Sequence, residues 1–136
     1  LSAFYAAADF VVVSLPLLLE TRGLVDAAAF DQMRPDAVLV NVGRGPVVDE
    51  AALYEALSHR RIGGAVIDTW YRYPEAEGDV TAPSRFDFAA LDNVVMTPHM
   101  SAWTDGTIRR RQATMADNIN RHFTGRACNN VVRPAG

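Results

Sequence analysis

Four short runs of branched apolar residues, separated by stretches of helical character, constrain this chain more than any other feature. They are Phe10-Val-Val-Val-Ser14, Ala37-Val-Leu-Val-Asn41, Ala65-Val-Ile67 and Asn93-Val-Val-Met-Thr97. Unbroken apolar runs of this length read as strands covered on both faces, the pattern of a parallel sheet. Between them, Asp26 is placed to cap a helix reaching about Met33, where Pro35 stops it. Asp49 is placed to cap another reaching about His59, with Leu53, Ala56 and Leu57 at helical spacing. Leu1 to Asp9 reads as the end of a helix, so the chain starts within an element; Thr104 to about Phe123 reads as a long helix and Asn129 to Gly136 as a loose tail. Residues 70–92 form a long polar and aromatic connection containing Pro74 and Pro83. Strands alternating with helices imply βαβ units, hence an α/β fold with a doubly wound parallel sheet.

Composition narrows the function classes. With 136 residues, 49% hydrophobic and a net charge of −3, the chain can bury a substantial core and is too apolar for disorder. Its 13 basic residues are all arginine, scattered in an acidic whole, which argues against a nucleic-acid surface. The lone Cys128 excludes a disulfide framework and a cysteine-rich metal site, and no metal-ligand spacing occurs elsewhere. No apolar run approaches the roughly 18 residues of a membrane span, and Leu1 to Phe10 lacks the basic start of a secretory leader. The expectation is a cytoplasmic globular protein without membrane or nucleic-acid partners.

Open α/β sheets bind ligands beyond the carboxyl ends of their strands, so the residues following each run matter most. Ser14, Leu15 and Pro16 follow the first, and Val42, Gly43, Arg44 and Gly45 the second. Asp68, Thr69 and Trp70 follow the third; Pro98 and His99 follow the fourth. An arginine, an aspartate and a histidine at successive strand ends converge on one edge. Arg44, between two glycines that permit close backbone approach to a ligand, suits bidentate capture of a carboxylate or phosphate, or else ties down a loop carbonyl. His99 is the general acid/base candidate, because imidazole titrates near neutrality. Asp68, ending a buried strand, needs donors from a ligand or from loop amides. His59, His122 and the Arg109-Arg110-Arg111 triplet read as solvated, and Trp70, Tyr71, Tyr73 and Trp103 as packing or pocket-lining residues.

Taken in order, Asn41-Val-Gly-Arg-Gly-Pro-Val-Val-Asp-Glu50, Gly64-Ala-Val-Ile-Asp68 and Thr97-Pro-His99 resemble the D-isomer-specific 2-hydroxyacid dehydrogenase family. Ser14-Leu-Pro16, Glu20-Thr-Arg-Gly-Leu24 and Asn130-Val-Val-Arg-Pro134 fit its flanking patterns. The resemblance implies the second half of a Rossmann-like nucleotide-binding domain over residues 1–103, then a return helix and tail over 104–136 that lead toward a substrate domain. It implies NAD as cofactor, with NADP not excluded, and hydride transfer between nicotinamide and a D-2-hydroxy acid or 2-oxo acid. By resemblance Arg44 binds the substrate carboxylate and His99 exchanges a proton with the substrate oxygen. Asp68 bonds the nicotinamide carboxamide with Ser101 close by, Pro16 packs on adenine, and Thr21, Val42 and Gly43 line the cofactor groove. Family members usually dimerise, which implies a homodimer.

Two departures qualify the resemblance. Where the family places a glutamate that pairs with the histidine, this chain has Tyr73, followed by the expected Pro74. A carboxylate would hold the imidazole tautomer and favour its charged form far more than a phenol does, which leaves Glu75 or Glu77 as acids that could swing in. Formate dehydrogenases of the same family also lack that glutamate, so a formate-dehydrogenase-like enzyme stays open. A non-catalytic, corepressor-like nucleotide-sensing module stays open as well. The second departure is that no Gly-x-Gly-x-x-Gly and no downstream ribose-binding acid occur, so the chain alone is expected to bind dinucleotide poorly and to be inactive.

Overall fold

The computed structural model describes residues 1–132, so Arg133 and Pro134 of the tail motif lie outside the described residues. The chain divides into two compact units, Leu1–Ser101 and Ala102–Gly136. In the first, α1 (Ser2–Ala7) leads into β1 (Phe10–Val13), α2 (Ala27–Gln32), β2 (Val38–Asn41), α3 (Glu50–Ser58), β3 (Gly64–Ile67) and β4 (Val94–Met96). The four strands form one parallel sheet in the order β1-β2-β3-β4. Each anticipated run is therefore a strand, and consecutive strands are neighbours, so all four carboxyl ends lie along one edge.

The helices start where the caps were read. The Asp26 carboxylate accepts the Ala29 amide at 2.9 Å, and Asp49 accepts the Ala52 amide at 2.8 Å. Each satisfies an amide that the first helical turn leaves open. Phe30, Leu53, Ala56 and Leu57 turn inward and pack with Leu39, Ala65 and Ile67 in the core.

Among the described residues, the helices cover one face of the sheet. Register places Val11, Leu39, Ala65 and Val94 in one row across the sheet, and Val12, Val40, Val66 and Val95 in the next. The first row faces the helices and is buried through β3; in the second, Val12 and Val95 are 59% and 57% exposed. Strand continuity in sequence cannot separate these cases, because valine serves either face. Phe10, at the start of β1, is exposed on the open side as well.

The connection over residues 70–92 is packed at its two ends, while residues 72–82 are exposed. Tyr54 of α3 stacks on Phe86 and meets Phe88 edge-on, and Trp70 meets Phe88 on its other side. Glu50 clamps the same segment, accepting the Ser84 hydroxyl at 2.8 Å and the Arg85 amide at 3.0 Å. Tyr71 is half-buried, and burial together with the negative charges of Glu50 and Asp49 pushes its phenol well above the ordinary range.

The second unit holds α4 (Asp105–Phe123), capped by the Thr104 hydroxyl on the Thr107 amide at 3.1 Å. Asn118 returns to hold the following segment through the Asn129 amide at 2.8 Å. Arg109, Arg110 and Arg111 are exposed, as read from the sequence, and so is Trp103.

Candidate functional site

The loop after β2 is built by Asn41, the last residue of that strand. Its side chain is buried, accepts the Gly43 amide at 3.1 Å and donates to the Arg44 carbonyl at 3.2 Å. A polar residue at the buried end of an apolar strand must find partners locally, and here the partners are the loop that carries Arg44. Asn41 was quoted in the sequence only as part of a pattern; its position at a covered strand end is the signal of its role.

The two glycines flanking Arg44 are required for a different reason than ligand approach. A Cβ on Gly43 would lie 2.7 Å from the Leu15 carbonyl oxygen, and one on Gly45 would overlap the Trp70 carbonyl. They let the loop after β2 nest between the loops after β1 and β3. Arg44 itself is exposed, and its guanidinium donates to the Gly43 carbonyl at 2.7 Å. One donor is thus spent locally while the rest of the planar fork is open to an anion.

After β1, Thr21 closes a small loop by donating its hydroxyl to the Pro16 carbonyl at 2.8 Å and accepting the Leu18 amide at 2.8 Å. Leu15, Pro16 and Leu19 stand exposed there. Val42 is half-buried, its amide bonded to the Val13 carbonyl at 3.0 Å, and Gly43 is buried.

Asp68, one residue beyond β3, is 1% exposed and highly connected. Its Oδ1 accepts the Thr97 hydroxyl at 2.5 Å and the Met100 amide at 2.9 Å, and both oxygens accept the Ser101 amide at 3.2 and 3.1 Å. Burial raises the carboxyl pKa, but the hydrogen bonds from Ser101, Thr97 and Met100 outweigh it and bring it down to about 2. Asp68 therefore spans from β3 to the segment following β4, holding the Thr97 side chain before His99 and the backbone amides after it. His99 adopts a left-handed φ of +56°, a conformation tolerated by histidine but costly enough to need such clamps.

A second tie runs through Trp70, whose indole Nε1 donates to the Thr97 carbonyl at 2.9 Å. Its buried backbone N–H donates to the Tyr73 hydroxyl at 2.9 Å, and that hydroxyl lies 3.0 Å from His99 Nδ1. Tyr73 thus occupies the position on the imidazole that a partner acid would take. Glu75 and Glu77 are exposed and make no hydrogen bond to His99 among the described residues; instead the Glu75 amide is held by Asp79 at 3.2 Å. Beside Tyr73 opens a cleft of about 400 Å³ lined by Trp70, Arg72, Met96 and Pro98. Among the described residues no cluster of histidine, cysteine or carboxylate groups could hold a metal, and no helix is long and apolar enough to cross a membrane.

Arg44, Asp68 and His99 thus follow three adjacent strands, with Ser101 on Asp68 and Tyr73 on His99. Parallel strands with their polar groups gathered at the carboxyl ends define the Rossmann-like class of nucleotide-binding sheet. The family model for the NAD-binding domain of D-isomer specific 2-hydroxyacid dehydrogenases matches residues 1–101, and the chain belongs to that family.

Among its relatives, glyoxylate/hydroxypyruvate reductase A from Arabidopsis thaliana is 37% identical over 88% of this chain and 36% of its own length. Hydroxyphenylpyruvate reductase from Plectranthus scutellarioides is 36% identical over 87% of this chain and 35% of its own. A D-isomer specific 2-hydroxyacid dehydrogenase from Xanthobacter autotrophicus, solved with NADPH and MES, superposes with a TM-score of 0.74 at 37% identity, covering 98% of this chain and 51% of that one. The NAD-complexed enzyme from Lactobacillus delbrueckii superposes with a TM-score of 0.85 at 27% identity, covering 97% of this chain and 42% of that one. The chain spans a little over a third of the length of those two reductases.

The residues present fit the two ends of a nicotinamide dinucleotide. Asp68 with the Ser101 hydroxyl offers the acceptor and donor that a carboxamide needs, and the exposed apolar Leu15 and Pro16 suit the face of a base.

Proposed function

We propose that this chain supplies the nicotinamide and substrate side of an NAD(P)-dependent oxidoreductase interconverting a 2-oxo acid and a D-2-hydroxy acid. The observation that carries the reading is the placement of Arg44, Asp68 and His99 at the ends of three adjacent parallel strands. The bound nicotinamide supplies or accepts hydride. Arg44 anchors the substrate carboxylate through its free donors, which also draw charge from the neighbouring carbonyl. His99 exchanges a proton with the substrate oxygen. Asp68 fixes the segment around His99 and offers an acceptor to the carboxamide, with Ser101 alongside. Pro16, Thr21, Val42 and Gly43 form the wall along which the dinucleotide lies. Glyoxylate and hydroxypyruvate are the first substrates to test, given the names of the relatives; the cleft beside Tyr73 has room for a larger side chain. We extend the reading to a cytoplasmic homodimer in which residues 104–136 lead toward a substrate-binding region.

The test is steady-state turnover of glyoxylate, hydroxypyruvate and formate with NADH, NADPH or their oxidised forms, using the full product of the gene. Reduction of a 2-oxo acid is expected, lowered roughly 10²- to 10⁴-fold in kcat by His99→Gln, while Arg44→Gln chiefly raises KM. Formate oxidation without 2-oxo acid reduction would overturn the reading. So would nucleotide-dependent binding of a protein partner without any turnover.

A further inference from the structure

The contact between Tyr73 and His99 has a polarity that a carboxylate could not produce. The Tyr73 oxygen already accepts a hydrogen bond from the Trp70 amide at 2.9 Å. That amide is buried and has no other acceptor among the described residues, so this bond fixes which side of the oxygen acts as acceptor. The phenolic proton remains, and His99 Nδ1 lies 3.0 Å away. If Nδ1 carried a proton, the oxygen would accept two bonds and its own proton would need another acceptor. No protein acceptor is within hydrogen-bond distance among the described residues, so on this side chain, 45% exposed, that proton would be left to solvent. If Nδ1 is bare, the three groups pair entirely within the protein: the Trp70 N–H gives to Tyr73, and Tyr73 gives to His99. A neutral imidazole bare at Nδ1 carries its proton on Nε2.

We propose that Tyr73 is a positioning residue that donates its hydroxyl proton to His99 Nδ1 and so fixes the neutral imidazole with a proton on Nε2. An acid at the same place can only accept while ionised, and would hold the proton on Nδ1 instead. The consequence for chemistry rests on the dehydrogenase reading, in which Nε2 faces the substrate oxygen. A carbonyl oxygen accepts hydrogen bonds, so an Nε2–H suits the 2-oxo acid. A hydroxyl about to lose its proton needs a bare Nε2, which Tyr73 disfavours. In reduction the Nε2 proton passes to the substrate oxygen while the Tyr73 proton passes to Nδ1, which leaves a neutral ring and a phenolate that the exposed side chain reprotonates from solvent, so the pair favours reduction without a carboxylate partner.

The experiment is a long-range ¹H–¹⁵N correlation spectrum of ¹⁵N-histidine-labelled protein, at a pH where the ring is neutral. A His99→Gln sample identifies its signals. Expected are a pyridine-type Nδ1 and a pyrrole-type Nε2 in the wild type. Tyr73→Glu, which replaces the phenol's donor with an acceptor, is expected to turn Nδ1 pyrrole-type. Tyr73→Phe is expected to move both nitrogens toward averaged signals, provided the buried Trp70 amide tolerates the loss. A pyrrole-type Nδ1 in the wild type overturns the proposal, and so does a Tyr73→Glu spectrum identical to wild type. Both readings come from the ring itself and do not depend on turnover, so failure here is distinguishable from failure of the dehydrogenase assignment. If that assignment holds, Tyr73→Glu is also expected to lower the ratio of reductive to oxidative kcat severalfold, and an unchanged ratio would confine Tyr73 to a structural part.

Discussion

Replacing Asp68 with asparagine tests whether one buried carboxylate organises the carboxyl edge of the sheet. The side chain keeps its shape, but its charge disappears. An amide oriented to keep three acceptor contacts on Oδ1 would aim its NH₂ at the Ser101 amide, where Oδ2 now accepts at 3.1 Å. Asp68 is almost fully buried, and its pKa lies near 2 against an ordinary 3.8. At ~1.4 kcal/mol per pH unit, that gap corresponds to about 2 kcal/mol of folding stability. Because the folded pKa is the lower one, the contribution is fully present above the unfolded value of 3.8 and is lost as pH falls through about 2. Urea unfolding, followed by circular dichroism and by the fluorescence of buried Trp70, is expected to show Asp68→Asn less stable by about 2 kcal/mol at neutral pH. The difference should narrow to about 1 kcal/mol near pH 3 and nearly close by pH 2. Other carboxylates titrate in both proteins, so the difference between them isolates this group. A deficit that stays constant across the acid range would refute the electrostatic account and leave only altered packing. No deficit at neutral pH would show that the hydrogen bonds around Asp68 do not contribute net stability.

Two further substitutions probe the scaffold around the site. Gly45→Ala puts a methyl into the Trp70 carbonyl, and the forced shift is expected to cost about 2 kcal/mol in the same urea assay; an alanine accepted without loss would mean the two loops can separate freely. Asp49→Ala removes the N-cap of α3 and should cost about 1 kcal/mol, whereas Asp49→Asn or Asp49→Ser should recover most of it.

The sequence revealed elements more readily than it revealed faces or partners. All four strands, both aspartate caps and the long terminal helix follow from local patterns: branched apolar runs, Asp26 and Asp49 before helical spacing, and Thr104 before Asp105. The place of Arg44, Asp68 and His99 after three adjacent strands followed too, because parallel order alone decides which strand ends lie side by side. Which residues turn toward the helices did not, since Val12 and Val95 read like Val11 and Val13 until register and helix placement are known. Nor did the part played by Gly43 and Gly45. A glycine beside a candidate ligand residue looks the same whether ligand or neighbouring loop comes close, and only the distances to Leu15 and Trp70 distinguish them. The replacement of an acid by Tyr73 was legible as a departure. Its hydrogen-bond polarity was not, because that depends on the Trp70 amide behind it.

These contacts form one lateral chain across the edge of the sheet. Gly43 rests on the Leu15 backbone, and Asn41 shapes the loop between Gly43 and Arg44. Gly45 abuts Trp70, whose indole grips the Thr97 carbonyl and whose amide grips Tyr73. Asp68 then holds Thr97, Met100 and Ser101 around His99. Asp68 and His99 are thus held through a neighbouring strand's loop, whereas Arg44 is held within its own. That arrangement suits a site whose exposed groups must hold their geometry to within fractions of an ångström. It also explains why an exposed histidine can keep a left-handed backbone: the strain is borne by a buried carboxylate one strand away. Loss of one link should therefore register two loops away, so a defect at Gly45 is expected to disturb the His99 ring signals even though the two residues belong to loops of different strands.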